Sequence, residues 1–261
     1  MNKFKKTILA ASCLAFAIPS YNSFAATTGT FSAKEKAQIE EVVHQYLLRK
    51  PEVIVEVLQI LQQRQYKEAE KTVKQTQDSA SSFATPLFHQ SDDPVRGNPD
   101  GKITVVEFFD YQCSHCIDMV PVMDAALKNN QELRIVYKEF PIRGPVSDFA
   151  SRAALAANKQ GKYAEVSHAI LTANQALTED KILDLAKNAG VDVDQLKKDM
   201  DSKEIKDKIA ANLELGKKLK LFGTPALFVG ATDAKDPGSI TYIPGQTTDK
   251  QLQEALDKAK K

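Results

Sequence analysis

Two cysteines separated by two residues are the part of this sequence with the clearest capacity for chemistry. Cys113 and Cys116 come directly after an apolar run, Lys102 to Phe109, which is rich in β-branched and aromatic residues. A cysteine at the point where a strand passes into a helix lies beside the unpaired amides of the helix start, and these favour the thiolate. The spacing therefore predicts a reactive dithiol, with Cys113 as the nucleophile and Cys116 as the resolving thiol.

The two residues between the cysteines, Ser114 and His115, are predicted to tune that chemistry. His115 supplies a hydrogen-bond donor, or a positive charge when it is protonated, close to the sulfur of Cys113. Together with the helix start, this is expected to lower the pKa of Cys113 into the range of roughly 3.5 to 7.5 found for activated cysteines. A stabilised thiolate also makes the corresponding disulfide a stronger oxidant.

Metal and haem sites are the other known uses of a Cys-x-x-Cys pair. Structural zinc needs four ligands, and the remaining histidines are scattered along the chain, at His44, His89 and His168. A c-type haem attachment needs a histidine directly after the second cysteine, where this chain has Ile117. Cu(I) binding by Cys113, His115 and Cys116 is chemically feasible because soft thiolates suit that ion. We assign no metal site, and copper binding or copper tolerance stays open as the alternative function.

Residues 1–25 resemble a cleaved secretory signal peptide. Three lysines precede an apolar stretch, Ile8 to Ile18, that is too short to span a bilayer, and Ser23-Phe24-Ala25 fits a small-x-small cleavage site. We therefore expect a periplasmic protein. The alternative is a lipoprotein signal with Cys13 as the lipid acceptor, which would place the protein at the outer membrane or cell surface, but the apolar run continues past Cys13.

Export makes the cysteine count informative, because Cys13 is removed with the signal and one pair remains. A disulfide that closes so short a loop removes little entropy from the unfolded chain, so this pair would contribute little to the stability of the fold. The composition, 43% hydrophobic and 26% charged, is that of a globular protein. Cleavage removes three lysines, which changes the formal net charge from +1 to −2. No basic run remains that would indicate a nucleic-acid surface.

The region before the cysteine motif is predicted to contain two amphipathic helices. Apolar residues recur at helical spacing from about Ser32 to Arg49, Pro51 separates the two helices, and the second stripe ends at Leu61. Residues 62–80 are polar and resemble a solvated stalk that fades into a linker at 79–82. Two short helices do not bury their apolar faces alone. They either pair with further copies of the chain, which we favour, or pack on the main domain.

The main domain is predicted to start near Phe83 with a turn-rich segment at 92–101. A strand at 102–109, a helix interrupted by Pro121 and a strand at 133–140 form a βαβ unit with parallel strands. Several helices follow at about 147–221, and we expect Gly161 and Gly190 at helix ends and Thr178 at a helix start. Two more strands at 225–229 and 239–243 and an amphipathic helix from Thr248 complete the chain.

Two separate motifs resemble the DsbA family of thioredoxin-fold disulfide oxidoreductases. Phe108 to Cys116 resembles the family's active site, and Phe222 to Phe228 resembles its cis-proline loop. The intervening helices resemble the family's inserted helical domain. The resemblance covers residues 83–261 and implies an α/β thioredoxin fold with a helical insertion at about 147–221. Residues 26–82 would precede it as an N-terminal helical oligomerisation segment and linker.

The resemblance also implies roles for individual residues. Pro225 would be cis and lie against the cysteine pair, and Thr224 would offer backbone groups to an extended substrate chain. Glu107 matches the buried acid of the family, which relays protons to the resolving thiol, here Cys116. The residues agree, because a carboxylate inside an apolar strand is expected to have a raised pKa. The alternative is that Glu107 simply points outward.

The N-terminal helices resemble the oligomerisation segment of a DsbA-like subgroup that includes the ScsC proteins. A threonine before the cis-proline resembles the disulfide isomerases DsbC and DsbG. These resemblances imply a homodimer or homotrimer that forms or isomerises disulfides in unfolded or misoxidised secreted proteins. They imply no cofactor beyond the cysteine pair and a membrane redox partner that resets it.

Overall fold

The computed structural model describes residues 31–260 and divides the chain into two compact units, Met1–Ile60 and Leu61–Lys261. Residues 1–25, predicted as a signal peptide and including Cys13, lie outside the described residues. The first unit contains α1 (Ala33–Arg49) and the first residues of α2 (Glu52–Ser79). Ser32 caps α1 as predicted, because its hydroxyl accepts from the Glu35 amide while the Glu35 carboxylate accepts from the Ser32 amide. Pro51 lies directly before α2.

The residues predicted as a linker, 79–82, are helical in the structure. Helix α2 runs to Ser79 and passes through a short 3-10 helix, Ala80–Phe83, into α3 (Ala84–Phe88). Ala80 and Ala84 are buried in the core beneath the sheet. Serines made this stretch resemble a linker, but small side chains also allow a helix to approach a sheet closely. The compact unit that contains the sheet accordingly begins at Leu61.

The end of α2 is held by side chains to the C-terminal half of the second unit. The hydroxyl of Thr76, which is 1% exposed, donates to the carbonyl of Leu219 at 2.7 Å. The side-chain amide of Gln77 donates to the carbonyl of Ile240 at 2.6 Å and accepts from the amide of Tyr242 at 2.7 Å. These contacts satisfy backbone groups at the margin of the sheet.

Five strands form one mixed sheet in the order β1-β3-β2-β4-β5. The strands are β1 (Val95–Gly97), β2 (Ile103–Phe109), β3 (Leu133–Glu139), β4 (Ala226–Ala231) and β5 (Thr241–Pro244). Strands β2 and β3 are parallel, which confirms the predicted βαβ unit, and the other pairs are antiparallel. Every residue of β2 is buried, so both faces of the central strand are covered.

Two details of the predicted elements differ from the structure. The turn-rich segment at 92–101 includes the edge strand β1, which is only three residues long and too short to show an alternating pattern. Helix α4 (Ser114–Asn129) is not interrupted but continues through Pro121. A proline in a helix removes one backbone hydrogen bond, and the packing of Met119 and Met123 in the core holds the helix together on both sides of it.

The predicted helical insertion is confirmed as five helices between β3 and β4. They are α5 (Pro145–Lys159), α6 (Tyr163–Leu171), α7 (Glu179–Asn188), α8 (Val193–Met200) and α9 (Lys203–Lys218). Gly161 and Gly190 have φ of 69° and 83° at helix ends, and Thr178 caps α7. Helix α10 (Asp249–Ala259) follows the cap residue Thr248. The architecture confirms the predicted thioredoxin fold with an inserted helical domain and an N-terminal helical segment.

Among residues 31–260, no helix combines the length and the apolar character needed to cross a bilayer.

Candidate active site

The cysteine pair lies where β2 passes into α4. Cys113 is the N-cap residue of α4, with extended backbone angles, and its carbonyl accepts from the amides of Cys116 and Ile117 at 3.0 and 3.1 Å. Both cysteines are buried and carry free thiols. The sulfur of Cys113 thus lies at the positive end of a helix, where unpaired amides stabilise negative charge.

The cis-proline loop covers the sulfur of Cys113 from the other side. The Thr224-Pro225 peptide bond is cis, as the resemblance implied. The thiol of Cys113 donates to the carbonyl of Thr224 across 3.2 Å. The Thr224 hydroxyl is buried and has no hydrogen-bond partner among the described residues. It is therefore available as a donor when Cys113 becomes a thiolate.

Arg143 is the cation at the Cys113 sulfur, and the sequence analysis did not identify it. Its Nη2 lies 3.6 Å from Sγ of Cys113. Arg143 comes four residues after the end of β3, the parallel neighbour of the strand that ends before Cys113. Because parallel strands end at the same edge of a sheet, a basic residue in this loop was the available signal.

Asp110 holds the Arg143 loop against the cysteine loop. One carboxylate oxygen of Asp110 accepts from the amides of Ile142 and Arg143 at 2.8 and 3.0 Å. The other accepts from the amide of Gln112 at 2.8 Å and from the hydroxyl of Ser147 at 2.7 Å. Asp110 is fully buried. A buried carboxylate with four donors fixes both loops, so the position of Arg143 beside Cys113 is preorganised.

The structure gives His115 a hydrogen-bond partner other than the sulfur of Cys113. Nδ1 of His115 forms a hydrogen bond with Oε1 of Gln246 at 2.9 Å, and the side chain is exposed. No hydrogen bond joins it to the sulfur of Cys113 within the described part of the chain. A side chain in the first turn of a helix points outward from the axis, whereas the N-cap sulfur turns in over the helix start. The side chain of Ser114 is also exposed.

The surroundings of the two thiols shift their pKa values in opposite directions. Burial acts to raise the pKa of Cys113, but the groups of Thr224 and Cys116 that can donate to its thiolate and the positive charge of Arg143 outweigh it and hold that pKa below its usual value. Burial, aided by the negative charge of Glu107, raises the pKa of Cys116 well above its usual value. Cys113 is thus the thiol that ionises first, and Cys116 needs a base.

Glu107 is buried beneath the cysteine pair, as predicted, and does not point outward. It is 4% exposed, and its carboxyl has no hydrogen-bond partner among the described residues. Burial raises the pKa of Glu107 to about 8, although the positive charge of Arg96 acts in the opposite direction. The carboxyl and Cys116 both face a cavity of about 20 Å³, which is room for one water molecule.

The chain is similar to known thiol-disulfide proteins. Residues 104–257 match the DSBA-like thioredoxin domain family, and residues 35–68 match the copper resistance protein ScsC N-terminal domain family. The probable disulfide bond formation protein D of Bacillus cereus is 30% identical over 156 residues, which are 55% of this chain and 72% of that protein.

Two solved structures are similar over nearly their whole length. A thioredoxin-like oxidoreductase from Silicibacter pomeroyi DSS-3 is 39% identical, covers 67% of this chain and 96% of its own, and superposes with a TM-score of 0.62. BcfH from Salmonella enterica Typhimurium is 32% identical, with 87% of this chain and 97% of its own covered, at a TM-score of 0.64.

Proposed function

Because this chain belongs to the DsbA-like thioredoxin domain family of thiol-disulfide oxidoreductases, we propose that it forms and isomerises disulfide bonds in secreted proteins as an exported homo-oligomer. The observation that carries the proposal is the contrast between the two thiols. Cys113 lies at a helix start beside Arg143, whereas Cys116 is buried against Glu107. Cys113 can therefore attack as a thiolate, whereas Cys116 must first lose its proton to a base.

The proposed reaction begins when the Cys113 thiolate attacks a client disulfide. An S–S bond forms between Cys113 and one client sulfur, and the other client sulfur leaves as a thiolate that takes a proton from solvent. Glu107 accepts the Cys116 proton, and the Cys116 thiolate then attacks the Cys113 sulfur. The mixed disulfide breaks, the client leaves reduced, and the pair becomes a disulfide. The reverse sequence oxidises a client dithiol. If a different client thiolate attacks the client sulfur of the mixed disulfide before Cys116 does, a new client disulfide forms, Cys113 leaves as a thiolate, and the client is isomerised.

The substrate contact is proposed at the Thr224 carbonyl, which accepts from Cys113 in the dithiol. When Cys113 is a thiolate or is bonded to a client, that carbonyl loses its donor. An extended client backbone then supplies an amide to it, next to Pro225. This gives the mixed disulfide a backbone contact that does not depend on client sequence.

Insulin reduction and the refolding of scrambled ribonuclease test the proposed reactions. We expect Cys113→Ala to abolish both activities. Cys116→Ala is the matched control, because it should retain attack by Cys113 and accumulate mixed disulfides with the client. Equal activity of Cys113→Ala and the unaltered protein would refute the proposal. An unaltered protein that refolds scrambled ribonuclease but does not reduce insulin would restrict the function to isomerisation.

Homo-oligomerisation is supported by the apolar residues that the first unit leaves exposed. Helix α1 has no buried residue, and Val42, Tyr46, Leu48 and Leu58 each expose about half or more of their surface. The match of residues 35–68 to the ScsC N-terminal domain family covers the same segment. An exposed apolar stripe on a helix favours association with a further copy of that helix.

Deletion of residues 27–60 tests the oligomer without disturbing Thr76 and Gln77. We expect a monomer by light scattering, with insulin reduction retained and ribonuclease isomerisation reduced. Val42→Glu with Leu58→Glu is a full-length counterpart that should give the same result. A monomeric full-length protein would exclude the proposed oligomer.

Periplasmic export and resetting by a membrane redox partner are proposed from the signal-like residues 1–25. Trapping the thiols of intact cells with an alkylating reagent reports the resting state of Cys113 and Cys116. We expect mainly disulfide if the partner is an oxidase and mainly dithiol if the protein works as an isomerase. Unprocessed protein in the cytoplasm would refute export.

Copper binding is the second candidate, because the family matched by residues 35–68 is described as part of a copper resistance protein. Cys113 and Cys116 are soft ligands for Cu(I). We rank it second because His115, the third ligand considered, is hydrogen-bonded to Gln246 instead. Titration with Cu(I) and a competing chelator tests it. Binding that disappears in Cys113→Ala and Cys116→Ala would establish it, and binding unchanged in both would exclude this site.

A further inference from the structure

A second buried carboxyl, Glu139, lies near Glu107 and has no role in the reaction described so far. Glu107 pairs with Tyr137 across β2 and β3, so Glu139, two residues further along β3, is the diagonal neighbour of Glu107 on the same face of the sheet. From strand spacing and rise, their Cα atoms are roughly 8 Å apart. Glu139 is fully buried.

The hydroxyls of two tyrosines hold one oxygen of Glu139. Tyr111 and Tyr163 donate to Oε1 at 2.9 and 2.8 Å. Oε2 has no partner among the described residues, and neither has the nearby hydroxyl of Ser151. The two phenols hold Oε1, and Ser151 is the polar group beside Oε2, so the site can accommodate either the protonated acid or the carboxylate.

Glu139 is connected to the cavity that Glu107 and Cys116 face. The hydroxyl oxygens of Tyr111 and Ser167 are 3.1 Å apart, and Ser167 lines that cavity. A tyrosine has one hydroxyl proton. When Tyr111 donates it to the Glu139 carboxylate, Ser167 must donate to Tyr111, so the protonation of Glu139 sets the orientation of the Ser167 hydroxyl at the cavity.

The groups that face Glu139 are mainly acids and phenols. Besides Glu107 on β2 they are Asp110 and Tyr111 from the loop after β2 and Tyr163 from α6. Burial raises the pKa of Glu139 to about 8, although the hydrogen bonds from Tyr163, Ser151 and Tyr111 act in the opposite direction. Two carboxyls at this distance in a buried site do not ionise independently.

We propose that Glu139 is a positioning residue for the resolving step, which controls the protonation of Glu107 and thereby the deprotonation of Cys116. This inference rests on the proposed role of Glu107 as the base. The step itself is unchanged: Glu107 takes the proton of Cys116, the Cys113–Cys116 bond forms, and the client thiolate leaves. A protonated Glu139 lets Glu107 ionise, whereas an ionised Glu139 keeps the proton on Glu107.

The test isolates the resolving step. The full-length protein is loaded at Cys113 with a nitrothiobenzoate group, and release of the coloured thiolate by Cys116 is followed against pH. Glu139→Gln should move the midpoint of the pH profile down by about one pH unit, because it removes a neighbouring negative charge. Glu139→Asp should restore most of the original midpoint. Val166→Ala is the matched control, since it loosens the packing of α6, which lines the cavity, but removes no charge and no hydroxyl, and its midpoint should stay in place.

A second measurement keeps the inference testable if Glu139→Gln does not fold. Carboxyl carbon resonances of glutamate-labelled reduced protein report the titration of each acid. In Glu107→Gln, the Glu139 midpoint should fall by the same amount, because coupling between two sites is reciprocal.

Each outcome has one meaning. If Glu107→Gln leaves the release profile unaltered, the proposed role of Glu107 fails, and this inference fails with it. If Glu107→Gln changes the profile but Glu139→Gln does not, only the role of Glu139 is refuted. Equal shifts in Glu139→Gln and Val166→Ala would show that packing, not charge, is responsible, which also refutes it.

Discussion

The guanidinium of Arg143 offers the sharpest test of how this site activates a thiol. Replacing Arg143 by Gln removes a positive charge 3.6 Å from the Cys113 sulfur. The side chain is exposed, so the interaction is weighed at the dielectric of water, where two unit charges at that distance attract by about 1.2 kcal/mol. That energy corresponds to about a sevenfold smaller thiolate-to-thiol ratio for Cys113 at any pH below its midpoint.

Thiolate absorbance in the ultraviolet, measured against pH in the reduced protein, gives this ratio directly. Alkylation rates should fall less, by about threefold, because a thiolate of higher pKa is intrinsically more nucleophilic. The disulfide of Arg143→Gln should also be a weaker oxidant, since the reduced form loses its stabilised thiolate. The effect should shrink as salt is added.

Arg143→Lys is the control that keeps the charge and loses the planar fork. It should recover most of the thiolate ratio. His115→Gln tests the rival assignment of the sequence analysis and should change the ratio little, because His115 contacts Gln246. A large effect of His115→Gln together with none of Arg143→Gln would refute the electrostatic reasoning.

Three further predictions concern the supports of the site. Asp110→Asn should raise the pKa of Cys113 in the direction of Arg143→Gln and lower thermal stability as well, because it weakens the four hydrogen bonds that fix both loops; thiolate absorbance and thermal melting check this. The raised pKa of Glu107, about 8, means that its contribution to stability is complete below about pH 4.5 and is lost as pH rises through 8, by up to about 1.4 kcal/mol per pH unit. Glu107→Gln should flatten that part of the pH dependence in urea unfolding, and an unchanged slope would contradict the burial argument. Thr76→Val should cost about 1–3 kcal/mol of unfolding free energy, since the buried carbonyl of Leu219 loses its donor; Thr72→Val, at a half-buried position one turn earlier on α2, is the control.

Most elements of this fold were predictable because their signals are local. The β-branched run before Cys113, the helix caps at Ser32, Thr178 and Thr248, and the left-handed glycines each depend on a few adjacent residues. The parallel pairing of β2 and β3 followed from the strand-helix-strand order, because a helical crossover returns the chain to the same end of the sheet. The edge strand β1 escaped prediction because three residues show no period, and its existence depends on β3 being beside it.

In the candidate site, too, the features with local sequence signals were predictable and those formed by distant segments were not. The sequence alone determined that Cys113 starts a helix, that Cys116 lies one turn inside it and that Glu107 sits in an apolar strand. From the sequence, His115 was predicted to activate the sulfur of Cys113, because a motif shows only those groups that are close along the chain. The tertiary structure replaced His115 by Arg143, thirty residues later, because Asp110 joins the two loops.

What only the tertiary structure decided is the electrostatic surrounding of the dithiol. The carbonyl of Thr224, the guanidinium of Arg143 and the second acid Glu139 come from three segments that the sheet topology brings to one end. Charge interactions and hydrogen bonds depend on distance through space, and distance in sequence carries no information about it until the chain is folded. The sequence therefore specified which sulfur chemistry is present, and the fold determined which groups govern it.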